Sequence, residues 1–379
     1  MTIIYTTKFL YKYFLKPILF IFDPETVHNL VINLGQQLGK SKFSKKLLNR
    51  TYNSNHPTLS QELFGITFKN PVGLAAGFDY NGELTQILGS VGFGFQSIGT
   101  VTFSDYEGNK APRLVRLPKS KSILVNKGFK NDGIKKVLNK NIQNWEEAYQ
   151  VGISIGATNS PDCTTPQSQI EDIVNSFRFL KIHRLYNKLA YLELNISCPN
   201  VLGSGSLADP NHLKQVLEGI KKLEIRKPLL VKLQLEIPWK KARELIQIMI
   251  DYKVDGVIIA NLLKRRNATL FEPKELDTVR FLKGNFSGAP TKDFSNELIE
   301  KAYKEFGHKI KIIGLGGIFN AQDAYEKIKR GASLVQLITG MIYEGPQLIA
   351  EINMGLEKRL KEDGYKNIKE AVGVKSIRS

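Results

Sequence analysis

Eight short apolar segments alternate with helix-like segments along this chain, and this alternation restricts its fold more than any other feature. Each apolar segment is continuous, which is typical of strands in a parallel sheet that helices cover on both faces. Eight such units favour an α/β fold of the closed (β/α)8, or TIM barrel, type. The apolar segments are 71–76, 95–101, 151–157, 190–196, 229–233, 256–260, 310–315 and 333–339. Helix-like stretches between them include 210–223, 239–252, 295–306 and 321–329.

An open, doubly wound sheet is the alternative to a barrel. Such a sheet would be expected to carry Gly-x-Gly-x-x-Gly after an early strand, and no such sequence occurs in that place. In a barrel, the active site lies at the carboxyl ends of the strands. The residues that follow each apolar segment are therefore the candidates for function.

The composition narrows the possible partners. The chain has 379 residues, enough for one barrel and an appendage, and only two cysteines, which argues against a disulfide scaffold. Its five histidines show no metal-ligand spacing, so we expect no metal site. The formal charge of +18 suggests an anionic partner surface, either nucleic acid or lipid. Because no nucleic-acid-binding signature accompanies this charge, we expect no nucleic acid partner.

The first fifty residues form a segment of their own, and the barrel is predicted over 51–379. Residues 3–22 are apolar and aromatic, but three lysines interrupt them, which disfavours a membrane-spanning helix. Asp23-Pro24-Glu25 predicts the cap and first turn of a second helix over 26–38. Two such helices could associate with a membrane surface. The alternative is a helical hairpin that packs on the barrel.

The fourth apolar segment runs into the sequence Asn-Ile-Ser-Cys-Pro-Asn at 195–200. Pro199 removes a backbone donor and ends the strand. Asn195 and Asn200 offer donors and acceptors that suit the edge of a flat heterocycle. Cys198 offers a thiol that could act as a base or a nucleophile. The alternative interpretation is a polar turn with one small buried cysteine.

Three further strand ends point to a phosphorylated ligand. Lys232 stands among aliphatic residues in the fifth segment, where a lysine is costly unless an anion or a polarised oxygen meets it. Gly316-Gly317 and Thr339-Gly340 follow the seventh and eighth segments, where barrels of this type bind phosphate through backbone N–H groups. Together these residues favour a phosphorylated, planar, electron-accepting ligand, and FMN has all three properties.

With these pieces in place, the sequence resembles the dihydroorotate dehydrogenases. The resemblance covers about residues 20 to 370. The part that reads YFLKPILFIFDPETVH is similar to the class 2, membrane-associated and quinone-using branch, in which it forms a two-helix lid that admits quinone. The other matching pieces are NPVGLAAGFD (70–79), IGTVT (98–102), APRLVRLP (111–118), KGF (127–129), NISCPN (195–200), VKL (231–233), DGVI followed by Asn261, FSGAP (286–290), IIGLGGI (312–318) and GASLVQLITG (331–340).

The resemblance implies an enzyme of pyrimidine synthesis with FMN as cofactor, dihydroorotate as substrate and quinone as acceptor. It also implies a peripheral protein on the cytoplasmic face of a membrane, or on the inner mitochondrial membrane in a eukaryote. Cys198 would be the base that takes the C5 proton of dihydroorotate while hydride leaves C6 for the flavin. Lys232 would stabilise negative charge on the reduced flavin.

The binding residues carried over by the resemblance fall into three groups. FMN would contact Ala75, Ala76, Gly77, Thr100, Asn195, Lys232, Gly288, Gly316, Gly317, Ile338 and Thr339. The pyrimidine would contact Asn195, Asn200, Asn261, Gly128 and Phe129. Arg116 matches the arginine that faces quinone in the family.

The sequence departs from the family mainly on the pyrimidine side. Cys198 is the base of the class 1 branch, whereas the class 2 branch usually has serine. Tyr80 stands where the family has a substrate-binding lysine, and Lys127 or Lys130 could supply that charge. The other departures are Val125 for asparagine, Ser154 for asparagine, and Ala260 and Leu262 for threonine. The alternatives are a diverged FMN dehydrogenase that acts on another dihydropyrimidine or an enone, and a membrane-bound flavoprotein with little catalysis.

Overall fold

Eight parallel strands close into a barrel at the centre of the molecule. The strands follow one another around the barrel in chain order and the eighth pairs with the first, which confirms the predicted (β/α)8 fold. The structure is a computed structural model that describes residues 2–53, 56–140, 145, 149–197 and 207–377. Each predicted apolar segment contributes one strand: β1 (Val72–Leu74), β2 (Phe95–Val101), β3 (Gln150–Ile155), β4 (Tyr191–Asn195), β5 (Leu229–Lys232), β6 (Gly256–Ile259), β7 (Lys311–Leu315) and β8 (Ala332–Leu337).

Helices surround the barrel and precede it. Within the described residues they are α1 (Thr2–Leu10), α2 (Lys16–Ile21), α3 (Pro24–Lys40), α4 (Lys42–Tyr52), α5 (Ile134–Asn139), α6 (Pro166–Ile182), α7 (Pro210–Lys222), α8 (Trp239–Asp251), α9 (Pro273–Thr278), α10 (Lys292–Phe306), α11 (Ala321–Lys329), α12 (Thr339–Glu344), α13 (Leu348–Glu362), α14 (Ile368–Ala371) and α15 (Val374–Ile377). A π-helical turn, Tyr11–Leu15, joins α1 to α2.

Aromatic side chains close the amino-terminal end of the barrel. A hairpin of two short strands, Gln61–Leu63 and Ile66–Phe68, precedes β1. Phe68 of this hairpin packs edge-on against Phe95, with ring centroids 5.4 Å apart, and Phe95 packs against Tyr191. These buried rings fill that end, and the opposite end, at the carboxyl ends of the strands, is the open one.

A small antiparallel sheet stands beside that open end and was not predicted. Its strands are Leu114–Leu117, Ser122–Val125 and Asn285–Gly288, and the middle strand pairs with both others. The strands are only four residues long and the first is half-buried, so they lack the long apolar runs that reveal the barrel strands.

The N-terminal helices bind the barrel through α12 and α13. The Lys8 ammonium lies 2.8 Å from Glu351, the Tyr11 hydroxyl donates to the Ile342 carbonyl at 2.6 Å, and the Lys16 ammonium donates to the Tyr343 carbonyl at 3.1 Å. None of the described helices is both long and apolar enough to cross a bilayer.

The cap predicted at Asp23 is present. Its carboxylate accepts from the N–H groups of Glu25 and Thr26, and it begins α3. The helix that follows, α4, was not predicted. Four of its eleven residues are basic, so its apolar face is narrow and the sequence signal is weak.

Two apolar side chains of α3 point away from the barrel. Leu30 and Leu34 are 59% and 56% exposed, whereas Ile32 is buried on the opposite side. Gly35 and Gly39 let this helix approach the loop after β1, because a Cβ at Gly35 would meet Leu84 at 2.5 Å.

Candidate active site

One cavity at the carboxyl ends of the strands brings most of the predicted site residues together. All eleven residues predicted to contact FMN line it, from Ala75 after β1 to Thr339 after β8. Gly128, Phe129 and Asn261, predicted to contact the pyrimidine, line it as well. Cys198 and Asn200 fall outside the described residues. Their roles therefore stay predictions.

Two glycine turns meet on one side of this cavity. Gly317 has a φ of +68°, and a Cβ there would lie 2.7 Å from the Lys292 Cα. A Cβ at Gly340 would collide with the Ile318 carbonyl, so the turn after β8 can touch the turn after β7 only because residue 340 is glycine. Successive glycines of this kind expose backbone N–H groups that can bind phosphate. The residues present therefore fit the phosphate end of FMN.

A chain of hydrogen bonds crosses the barrel interior beneath the cavity. The Ser154 hydroxyl donates to the buried Glu193 carboxylate at 2.9 Å and lies 3.1 Å from the Thr100 hydroxyl. The Asn195 amide nitrogen donates to Thr100 at 2.8 Å. Asn195 is buried, and so is Lys232, which stands opposite it in the register of β4 and β5. The hydrogen bond to Thr100, in the barrel interior, thus fixes the orientation of the Asn195 amide.

Ser197, the residue before Cys198, is held by asparagines on two strands. Its hydroxyl donates to the Asn195 amide oxygen at 2.7 Å, and so does its backbone N–H at 3.1 Å. The Asn261 amide nitrogen donates to the Ser197 carbonyl at 3.1 Å and to its hydroxyl at 2.9 Å. These bonds use both N–H groups of Asn261 and leave its amide oxygen as the group that can accept from a ligand.

The loop after the strand Ser122–Val125 carries unusual backbone geometry at the cavity wall. Phe129 has a φ of +67°, which is uncommon for a residue with a large side chain. Its ring fills the space beside Gly156, and its carbonyl accepts from the Asn131 amide at 2.7 Å. Strained residues of this kind cluster at ligand sites, where the surrounding structure fixes them.

Arg116 does not line the cavity itself. Its guanidinium donates to the Phe22 carbonyl at 2.8 Å and lies 4.6 Å from the centre of the Phe20 ring. Burial lowers its pKa. Between these residues and the barrel, the cavity wall is apolar and includes Leu114, Ile123, Val125 and Ile342. Arg116 thus stands at the junction of the N-terminal helices and the small sheet.

The sequence analysis missed His28 of α3. Its ring lines the cavity and packs 4.9 Å from Phe78 and 5.0 Å from Tyr80. Burial, together with the nearby Lys127 charge, lowers the pKa of His28 to about 3, so the ring is neutral at pH 7. No local sequence signal marks this histidine, because it reaches the barrel only when α3 docks.

Comparisons with known proteins agree with this geometry. The family model described as dihydroorotate dehydrogenase matches residues 58–360. A relative from Nostoc punctiforme, described as dihydroorotate dehydrogenase (quinone), is 36% identical over 96% of this chain and 98% of its own length. A relative of the same description from Acaryochloris marina is 36% identical over 97% of this chain and 100% of its own length. The crystal structure of DHODH from Eimeria tenella in complex with ferulenol aligns with a TM-score of 0.80, at 27% identity over 93% of this chain and 95% of that one.

Proposed function

Because this chain belongs to the dihydroorotate dehydrogenase family, we propose that it oxidises dihydroorotate to orotate with FMN as cofactor and a quinone as acceptor. The observation that carries the proposal is the cavity lined by Asn195, Lys232 and the glycine turns, in a chain 36% identical to relatives described as quinone enzymes. It is an oxidoreductase that acts on a CH–CH bond.

The glycine turns and the buried lysine are assigned to FMN. When bound, FMN accepts two electrons from dihydroorotate and passes them to the quinone. Gly316, Gly317 and the backbone at Thr339 would hold the phosphate, since their N–H groups suit an anion. Lys232 places a positive charge on the interior side of the cavity, where it favours a ring that gains negative charge.

The asparagines and Cys198 are assigned to the pyrimidine. Asn195 and Asn261 would form hydrogen bonds with the amide edge of the pyrimidine ring, because their orientations are fixed by Thr100 and Ser197. Cys198 would take the C5 proton of dihydroorotate as general base. Four hydrogen bonds hold Ser197, the residue before Cys198 in the sequence. This anchoring supports the assignment of Cys198.

The apolar part of the cavity is assigned to quinone, with Arg116 at its outer end. Residues 1–50 would form the segment that contacts quinone and membrane, and 51–379 the FMN-binding barrel. Of the eighteen large apolar side chains that are exposed among the described residues, fifteen lie between Ile3 and Leu47. So large an apolar surface on one side of a protein is typical of a membrane contact.

Gly317→Ala provides a test of the phosphate assignment. The added Cβ meets Lys292, and the residue must keep a positive φ, so we expect FMN to bind about tenfold to a hundredfold more weakly, from a strain of roughly 1–3 kcal/mol. Fluorescence of released flavin during dialysis measures this loss. Gly65→Ala is the matched control, because Gly65 also has a positive φ but lies in the hairpin at the closed end of the barrel, where an added Cβ would meet no other atom within 4 Å. Equal FMN retention by both variants would contradict the assignment.

The acceptor is tested with full-length protein reduced anaerobically by dihydroorotate. We expect the flavin absorbance to bleach on addition of dihydroorotate and to return on addition of ubiquinone, but not with fumarate or NAD. The purified protein should contain about one FMN per chain. Reoxidation by fumarate or NAD without reoxidation by quinone would contradict the proposed function, as would a failure of dihydroorotate to bleach the flavin.

A further inference from the structure

Four charged side chains meet where α3 crosses the mouth of the barrel, and their charges do not balance. The Glu25 carboxylate of α3 lies 3.0 Å from the Arg113 guanidinium and 3.0 Å from the Lys130 ammonium. The Lys127 ammonium lies 3.7 Å from the same carboxylate. One negative charge is therefore shared by three positive charges, and the two direct hydrogen bonds go to Arg113 and Lys130.

Lys127 is the member of this cluster with the least satisfied charge. It is only 6% exposed, it lines the cavity, and its ammonium has no hydrogen-bond partner among the described residues. Burial lowers its pKa to about 8, opposed by Glu25, so it remains mostly protonated at pH 7. A buried ammonium without an acceptor is costly, and a bound anion would relieve that cost.

Tyr80 fixes where this ammonium lies. The Lys127 Nζ stands 4.4 Å from the centre of the Tyr80 ring, the position of a cation–π contact. Tyr80 follows Asp79, whose buried carboxylate accepts from the N–H groups of Glu83 and Leu84 and so anchors the loop after β1. Tyr80 therefore holds the Lys127 ammonium in place, and it has no charge of its own with which to bind an anion.

We propose that Lys127 binds the carboxylate of the dihydropyrimidine substrate and that Tyr80 positions Lys127 for this contact. The inference rests on the proposed function and adds to it the residue that selects an anionic substrate. Gly128 and Phe129, which we assign to the pyrimidine, follow Lys127 directly in the chain, so one loop would contact both the ring and its acidic substituent. Lys130 is less suited, because it is more exposed and already donates to Glu25.

The test compares an acid with its ester on the FMN-loaded protein. Orotate and orotate methyl ester are titrated against wild type and Lys127→Met, with the flavin absorbance and calorimetry as readouts. We expect Lys127→Met to bind orotate about 10- to 100-fold more weakly, the range for a lost hydrogen bond to a charged group. Affinity for the ester, which lacks the negative charge, should change by less than about threefold.

Lys130→Met is the matched control, since it removes a lysine that binds the same Glu25 carboxylate. The acid-to-ester preference is the affinity for orotate divided by the affinity for its methyl ester. We expect this preference to fall by less than about threefold in Lys130→Met, as for a partly exposed ion pair. Lys127→Arg retains the positive charge and should recover part of the preference. Tyr80→Leu removes the ring beneath the ammonium and should lower the preference about five- to thirtyfold, in line with a cation–π contact at a largely buried site.

Several results would overturn the inference. One is that Lys127→Met binds orotate as tightly as wild type does. Another is that this variant loses the same affinity for orotate and for the ester. A third is that its only defect is slower reoxidation by quinone. If Lys127→Met fails to retain FMN, Lys127→Gln takes its place in the same titration, and the same criteria apply. Failure of the proposed function has a different signature, because wild-type flavin would then respond to neither orotate nor dihydroorotate.

Discussion

Cys198→Ala is expected to slow reduction of the flavin by dihydroorotate by about 10²- to 10⁴-fold, the usual range for a lost general base. FMN binding should be retained, because the glycine turns and Lys232, which are assigned to FMN, lie on other strands. Ser197, the residue before Cys198 in the sequence, is anchored by the Asn261 amide, which supports the assignment of Cys198 to the site. Anaerobic stopped-flow absorbance at the flavin band measures the rate.

Cys163→Ala is the matched control for this experiment. Cys163 is the other cysteine of the chain, it is buried, and burial raises its pKa to about 11, so it is unsuited to act as a base. Its replacement should leave flavin reduction within about twofold of wild type, as for a buried thiol that serves only packing. Cys198→Ser should move the acidic limb of the pH–rate profile to higher pH, since a thiol has the lower pKa. Wild-type reduction rates in Cys198→Ala would remove this residue from the mechanism.

Removal of residues 1–21 is expected to separate the two half-reactions. Flavin reduction by dihydroorotate should persist, because α3 and its cavity residues, including His28, are retained. Reoxidation by a long-tailed quinone should fall by about 500- to 5000-fold. About 150–200 Å² of apolar contact, at ~25 cal/mol/Å², corresponds to about 4–5 kcal/mol. Steady-state turnover with long-tailed and tail-less quinones measures the effect, and the tail-less quinone should be much less affected.

Binding to lipid vesicles should decline in the same truncated protein. Nine of the exposed apolar side chains lie between Ile3 and Ile21 and would be lost. The loss of electrostatic attraction to the vesicles should be smaller than the number of deleted lysines predicts. Lys8 and Lys16 already bind Glu351 and the Tyr343 carbonyl. The packed-hairpin alternative predicts another outcome, in which the truncated barrel loses stability and both half-reactions together. Melting temperature and flavin content distinguish the two.

The barrel strands could be predicted from the sequence because each is an uninterrupted apolar run between turn residues. The strand 256–259 is an example: all four of its residues are buried, as a strand covered on both faces requires. The small sheet beside the mouth escaped prediction, since the half-buried strand 114–117 has no such run. Its formation depends on pairing with a strand that lies more than 150 residues further along the chain.

The residues of the site divide in the same way. Some are marked by the local sequence, and others are brought together only by the tertiary fold. Residues at strand ends, such as Thr100 and Gly317, could be placed together because parallel strands end on one side of a barrel. His28 could not be placed, since only the docking of α3 brings it to Phe78. The contact between Lys127 and Tyr80 is equally invisible in the sequence, because the two residues belong to separate loops and meet only around the cavity.

The contacts of the N-terminal helices have a consequence for the order in which the molecule is completed during synthesis. Lys8, Tyr11 and Lys16 are made well before their partners on α12 and α13, which follow 343, 331 and 327 positions later. A growing chain therefore carries these apolar helices for some time without the surface that receives them. Non-local contacts of this kind form late. The N-terminal helices, which we assign to quinone, can thus make these contacts only after all eight barrel strands have been synthesised.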